Sequence, residues 1–231
     1  MSIAKSPPTK LSMSPPLLAL LGHKLFTANM DDYSKQLLWT AFLCCFFTSC
    51  RMGELLVNSN CNIGDRFSFK WRNLLKMKDG GYLLFLPYTK TKGAVGEYTD
   101  IFNLQNSAYC PVSAVERFKK MQKRLGLYHP DSVVFVHSNG SGMTKSYVNS
   151  MLKHLLSDFC DWNERQVTCK SFRSAIPSLL DISNLDSSNL KTWGRWSSNC
   201  FEKYTKYTRE KKLLLFKKLC SDVLLNALIN Y

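Results

Sequence analysis

The stretch 31–47 is apolar on nearly every side of a helix, with Leu37, Leu38, Ala41, Phe42 and Cys45 making its strongest face. A helix without a polar face is a buried one, so this segment is expected at the centre of the domain. A short helical piece, 51–56, follows it directly. Between 67 and 104 the pattern changes to brief apolar runs broken by turn signals, Asp79-Gly80-Gly81 and Thr91-Lys92-Gly93 among them. That alternation predicts a small antiparallel sheet, with 82–87 as its clearest strand and 97–102 returning against it. Pro111 opens the next helix, in which Ala114, Phe118, Met121 and Leu125 recur at helical spacing. A brief extended piece is expected at 133–136. Thr144 then caps a helix carrying a stripe of Val148, Leu152, Leu155 and Phe159.

The remainder reads as helical, ending in a segment of about 209–228 that sets Phe216, Leu219, Val223 and Ala227 on one face. That segment packs on its own domain or docks on a neighbouring subunit. Residues 1–14, with Pro7 and Pro8 among Ser, Thr and Lys, read as a flexible lead-in of the kind that links a further N-terminal module. Residues 15–231 form one domain. The fold class is α+β, mainly helical, with a small antiparallel β-sheet.

Charge narrows the function. The 231 residues carry 31 Lys and Arg against 17 Asp and Glu, a net charge of +14, which makes a polyanionic partner the leading explanation. Nucleic acid ranks above an anionic membrane surface, because the apolar run 37–47 is too short to span a bilayer. The start has no secretory signal pattern. The nine cysteines are odd in number and show no Cys-x-x-Cys spacing, as expected of reduced thiols in a nuclear or cytoplasmic protein. His23, His129, His137 and His154 are scattered, so neither a metal site nor a cofactor is implied.

Candidate chemistry begins with Arg51, in Cys50-Arg51-Met52-Gly53-Glu54-Leu55 directly after the most apolar helix. A guanidinium there must find an anion or several acceptors. A structural network with Glu54 or with carbonyl groups and a phosphate-binding role stand about level for it. Arg173, in Lys170-Ser171-Phe172-Arg173, is a second arginine opening an apolar run. Together, two planar guanidiniums can grip the non-bridging oxygens of a phosphodiester. Trp196 offers an indole N–H, Lys90 in the turn after Tyr88 can give a proton to a leaving oxygen, and Tyr204 is a nucleophile if a cationic surround activates its phenol.

The order and context of Arg51, Lys90, Lys170-x-x-Arg173, Gly194-Arg195-Trp196-Ser197-Ser198 and Tyr204, eight residues beyond Trp196, resemble the catalytic domain of the tyrosine recombinase (phage integrase) family. The Gly-Arg-Trp-Ser-Ser motif is similar to that of recombinases from eukaryotic mobile elements such as cryptons and DIRS-type retrotransposons. The resemblance implies that Arg51 and Arg173 clamp the scissile phosphate and that Lys90 is the general acid toward the 5′ oxygen. It further implies that Trp196 fills a position held by His or Trp, and that Tyr204 forms a 3′-phosphotyrosyl link without metal or cofactor. Lys170 stands where the family usually has His. Lys92 is an alternative to Lys90, and Tyr207, one turn beyond Tyr204, is a competing nucleophile.

Double-stranded DNA is the expected partner, with Lys70, Arg72, Lys92, Lys145, Lys153 and Arg195 extending its surface and self-association through the C-terminal helix. Two other readings keep the fold: a DNA-binding protein that has lost catalysis, which Lys170 in place of His favours, and a type IB topoisomerase-like activity. An RNA-binding domain is disfavoured, since no aromatic-rich strand or Gly-rich backbone clamp is present.

Overall fold

The computed structural model describes residues 9–57, 65–104, 107–159 and 165–175. Its order is β1 (Thr9–Lys10), α1 (Pro15–Thr27), α2 (Asp32–Thr48), α3 (Met52–Leu55), a 3-10 turn (Trp71–Asn73), β2 (Leu74–Lys76), β3 (Tyr82–Leu86), β4 (Glu97–Ile101), α4 (Pro111–Arg124), α5 (Lys145–Leu155), β5 (Arg165–Gln166) and a second 3-10 turn (Ser171–Ser174).

Helix α2 is the axis on which the rest is built. Asp31 caps it by accepting from the Ser34 N–H at 2.9 Å, and thirteen consecutive residues from Gln36 through Thr48 are buried. Its sides hold different partners. Gln36 Nε2 and Thr40 Oγ1 both donate to the Ala114 carbonyl of α4, at 3.2 and 3.3 Å. Phe42, about 200° further round the helix than Thr40, stacks instead on Phe172 of the second 3-10 turn at 5.2 Å. The helix is apolar all round because it is covered all round.

The sheet has the order β2-β3-β4, antiparallel throughout, with Leu74 opposite Leu84 and Tyr82 opposite Ile101. Tyr82, Leu84 and Leu86 are buried while Leu83 and Phe85 between them are half-buried, the alternation of a sheet with one face on the core. Where β3 turns into β4, a Cβ on Gly96 (φ +70°) would sit 2.6 Å from the Leu86 carbonyl oxygen, so only glycine lets the returning strand close. Three side chains join the remaining pieces beneath through four hydrogen bonds. Trp71 Nε1 donates to Gln122 Oε1 at 2.7 Å, Gln122 Nε2 donates to the Val134 carbonyl at 2.8 Å and to Tyr33 Oη at 3.2 Å, and Tyr33 Oη donates to the Val136 carbonyl at 2.8 Å.

The mainly helical architecture, the sheet and the capped helices match the expectations from sequence; some details do not. Residues 9–14 are not a free lead-in: Thr9–Lys10 pairs in parallel with Arg165–Gln166, and Met13 is fully buried. Phe159 lies past the end of α5 and is 52% exposed, and Leu125 lies past the end of α4 and is equally exposed, so neither continues its stripe into the core. Among the described residues no helix is long and apolar enough to cross a membrane.

Candidate active site

A cavity of about 620 Å³ opens between α3, the β3–β4 hairpin, the first turn of α5 and the second 3-10 turn, with Arg51, Lys90, Lys170 and Arg173 on its walls. Four separate stretches of sequence meet here.

Arg51 is placed by the way α2 ends. Thr48 Oγ1 donates back to the Cys44 carbonyl at 2.7 Å and accepts from the Cys50 N–H at 3.2 Å, while Ser49 adopts the left-handed conformation, φ 50°. The chain then restarts at once as α3 with Arg51 as its N-cap. Glu54 reaches back: its Oε2 accepts from the Arg51 N–H at 2.8 Å and its Oε1 from Nη1 at 3.1 Å. The carboxylate side chain is only 5% exposed while the guanidinium side chain is 36% exposed. The structural network expected of Arg51 is therefore present, and it leaves this arginine on the wall of the cavity.

Arg173 is held by a turn far along the chain from Arg51. Its 3-10 turn is anchored by buried Phe172 on Phe42 and closed by the Ser171 N–H on the Thr168 carbonyl at 2.8 Å and the Thr168 N–H on Ser171 Oγ at 3.0 Å. Arg173 Nη1 donates to the Ser49 carbonyl at 2.8 Å, so the two arginine-bearing turns are joined directly. Lys170 is exposed at the start of the same turn.

Lys90 stands in the tight loop of the hairpin, which the Thr89–Gly93 pair closes through hydrogen bonds of 3.2 and 2.8 Å. Lys92 is exposed in the same loop and does not line the cavity. Tyr88 adds a wall and packs edge-on against Phe67 at 5.6 Å.

Lys145, expected on the outlying DNA surface, lines the cavity instead, as does Cys169. Burial pushes the Cys169 thiol up to about 11, against the opposing pull of the Lys145 charge. Lys153 is exposed on α5, and Arg72 is exposed but ion-paired with Asp131 at 2.5 Å. Lys70 departs from the expectation of a surface contact. It is only 9% exposed, and its backbone bridges to Val133. Trp196, Tyr204, Tyr207, Arg195 and the segment 209–228 lie outside the described residues.

Five cationic side chains thus surround the cavity against one carboxylate, Glu54, which Arg51 already engages. Such a surround attracts an anion carrying several acceptor oxygens. Among the described residues no group of three or more His, Cys, Asp or Glu is disposed to hold a metal ion. In the sequence Glu54 is legible only as a structural partner, through the Arg-x-x-Glu spacing, and Gly53 carries no signal of its own.

No family model matches the sequence, and a search of curated proteins finds no match. Solved structures do match. The XerH site-specific recombinase bound to palindromic difH substrate in a post-cleavage complex has a TM-score of 0.57 at 14% identity, over 94% of this chain and 55% of that one. Its pre-cleavage complex with difH gives 0.56 at 16%, over 94% and 55%. The FLP recombinase–Holliday junction complex gives 0.55 at 17%, over 93% and 50%. The chain spans about half the length of these proteins, and it has the tyrosine recombinase catalytic-domain fold.

Proposed function

We propose that this chain is a tyrosine recombinase catalytic domain that breaks and rejoins DNA strands through Tyr204. The observation that carries the reading is the convergence of Arg51, Lys90, Lys170 and Arg173, from three separated stretches, on one cavity. The recombinase fold supports it.

In this reading Arg51 and Arg173 bind the non-bridging oxygens of one phosphodiester and neutralise the charge that builds as phosphorus becomes five-coordinate. The Tyr204 oxygen bonds to phosphorus and its phenolic proton leaves to solvent. The bond from phosphorus to the 5′ oxygen breaks, and Lys90 delivers a proton to that oxygen. Trp196 adds an indole N–H, and protonated Lys170 adds charge where other members of the family carry His. The phosphotyrosyl ester conserves the energy of the broken bond, so religation needs neither metal nor nucleotide. The kinship is with mobile-element recombinases. The segment 209–228 joins subunits on duplex DNA, and the protein works in a nucleus or the cytoplasm.

The experiment is incubation with nicked and intact duplexes in EDTA, followed by denaturing gels for a covalent adduct, with Tyr204→Phe and Tyr207→Phe in parallel. An adduct lost only in Tyr204→Phe is the expected result. Salt-sensitive duplex binding with no adduct, on a panel that includes candidate element ends, would favour a catalytically silent DNA-binding protein. Relaxation of supercoils by a monomer would favour the topoisomerase-like activity.

A further inference from the structure

We propose that Lys145 is a fifth phosphate-binding cation of the cavity, seated there by Gly53, and that it grips a backbone phosphate next to the one between Arg51 and Arg173. The proposal rests on reading the cavity as a DNA-backbone site and adds to it a contact with a distinct signature.

Lys145 lies flat across α3. A Cβ on Gly53 would meet its Cδ at 3.1 Å and its Cε and Nζ at 3.3 Å each. The outer half of the side chain therefore occupies the space that any other residue at position 53 would fill. Arg51 and Gly53 both line the cavity, so the amine lies over α3 on the same cavity as the first guanidinium. The backbone of Lys145 is fixed relative to the second: Asn149 Oδ1, one turn on in α5, accepts from the Cys169 N–H at 2.9 Å, and the Cys169 thiol faces the Lys145 carbonyl at 3.8 Å.

Its charge is placed against local preference. Lys145 is the first residue of α5, whose opening turn holds no acidic side chain, and a cation there faces the positive end of the helix. Glu54 is committed to Arg51, and no ion pair among the described residues engages Lys145. A cation in a setting that disfavours it, on the wall of a cavity shared with four others, is what an incoming anion would compensate. At about 620 Å³ the cavity also exceeds the room one phosphate group needs, being of the size that holds whole small ligands.

The test is the salt dependence of equilibrium binding to a short duplex, measured for the full chain and for Lys145→Ala, Lys145→Arg, Gly53→Ala and Lys35→Ala. Lys35 is a control for net charge: its amine donates to the Phe26 carbonyl, away from the cavity. Lys145→Ala is expected to reduce the slope of log affinity against log salt by about 0.9, the value of one phosphate contact. Lys145→Arg and Lys35→Ala keep the parent slope. Gly53→Ala reduces it, and combining Gly53→Ala with Lys145→Ala costs no more than Lys145→Ala alone. A parallel titration with inorganic phosphate by calorimetry separates the two ideas, since Lys145→Ala should weaken it about tenfold. Phosphate binding that depends on Lys145 without duplex binding would sink the recombinase reading and the backbone contact with it, and keep Lys145 only as a phosphate-binding cation. An unchanged slope in Lys145→Ala, or no binding of either probe, would overturn the role of Lys145.

Discussion

Arg173 and Ser49 are joined across 124 positions by the 2.8 Å hydrogen bond from the guanidinium to the backbone carbonyl. The acceptor belongs to the one non-glycine residue with positive φ among those described. The left-handed turn that redirects the chain after α2 therefore also presents the oxygen that orients the second arginine.

Ser49 carries two local costs at that turn. A serine in the left-handed region is strained by about 1 kcal/mol, and its buried hydroxyl has no hydrogen-bond partner among the described residues. Ser49→Gly removes both and keeps the carbonyl. It should raise unfolding free energy by about 1 kcal/mol in urea titrations, whereas Ser49→Val should lower it.

Glu54 holds both the Arg51 backbone and its guanidinium. Glu54→Ala leaves the helix start uncapped and a half-buried arginine without its anion, a loss of about 2–3 kcal/mol. Glu54→Gln can preserve one hydrogen bond and should cost less. Equal losses in chemical denaturation would mean that charge, and not hydrogen bonding, sets the geometry.

The two hairpin lysines should separate kinetically, because Lys90 lines the cavity and Lys92 does not. Lys90→Ala is expected to slow cleavage of an oligonucleotide by about 100-fold or more, and Lys92→Ala to have little effect. A substrate with sulfur in place of the bridging 5′ oxygen should restore the rate of Lys90→Ala, since a thiolate departs without a proton.

Gln122 is fully buried and serves Trp71, Tyr33 and the Val134 carbonyl together. Gln122→Leu fills similar space but orphans a buried indole N–H and a buried carbonyl. The expected cost is about 2–4 kcal/mol, to be checked by calorimetric unfolding; a neutral result would show that water or rearrangement satisfies those groups.

Burial holds His137 below its ordinary value of 6.5, opposed by the charge of Asp31. Between 6.5 and the lower folded-state value the unfolded chain binds more protons, so this contribution to stability is present above pH 6.5 and is lost as pH falls. Denaturant midpoints at pH 5, 6, 7 and 8 should fall less steeply on the acid side in His137→Gln.

Periodicity made much of the architecture legible. An all-round apolar α2, a hairpin between turn signals, and Pro111 and Thr144 at helix starts are local patterns with local causes. What the pattern missed depends on partners far along the chain. Met13 is buried where the segment after β1 meets the Ser171 turn, and Lys70 is buried where its backbone bridges to Val133. At the site, the arginines and Lys90 were legible from their motifs. Lys145 read as a surface cation because its seat is an empty space on Gly53, which no property of residue 145 discloses.

The segment 9–14 runs beside the Arg173 turn: the Met13 N–H donates to the Ser171 carbonyl at 3.0 Å, and Ser12 Oγ donates to Ser174 Oγ at 2.8 Å across 162 positions. Contacts of such separation form late, after the entropy of closing a long loop has been overcome. A chain emerging from the ribosome can complete α2 and the hairpin while its second guanidinium is still unmade. A joint grip of both arginines on an anion therefore waits until residues 171–174 have docked on the segment 9–14.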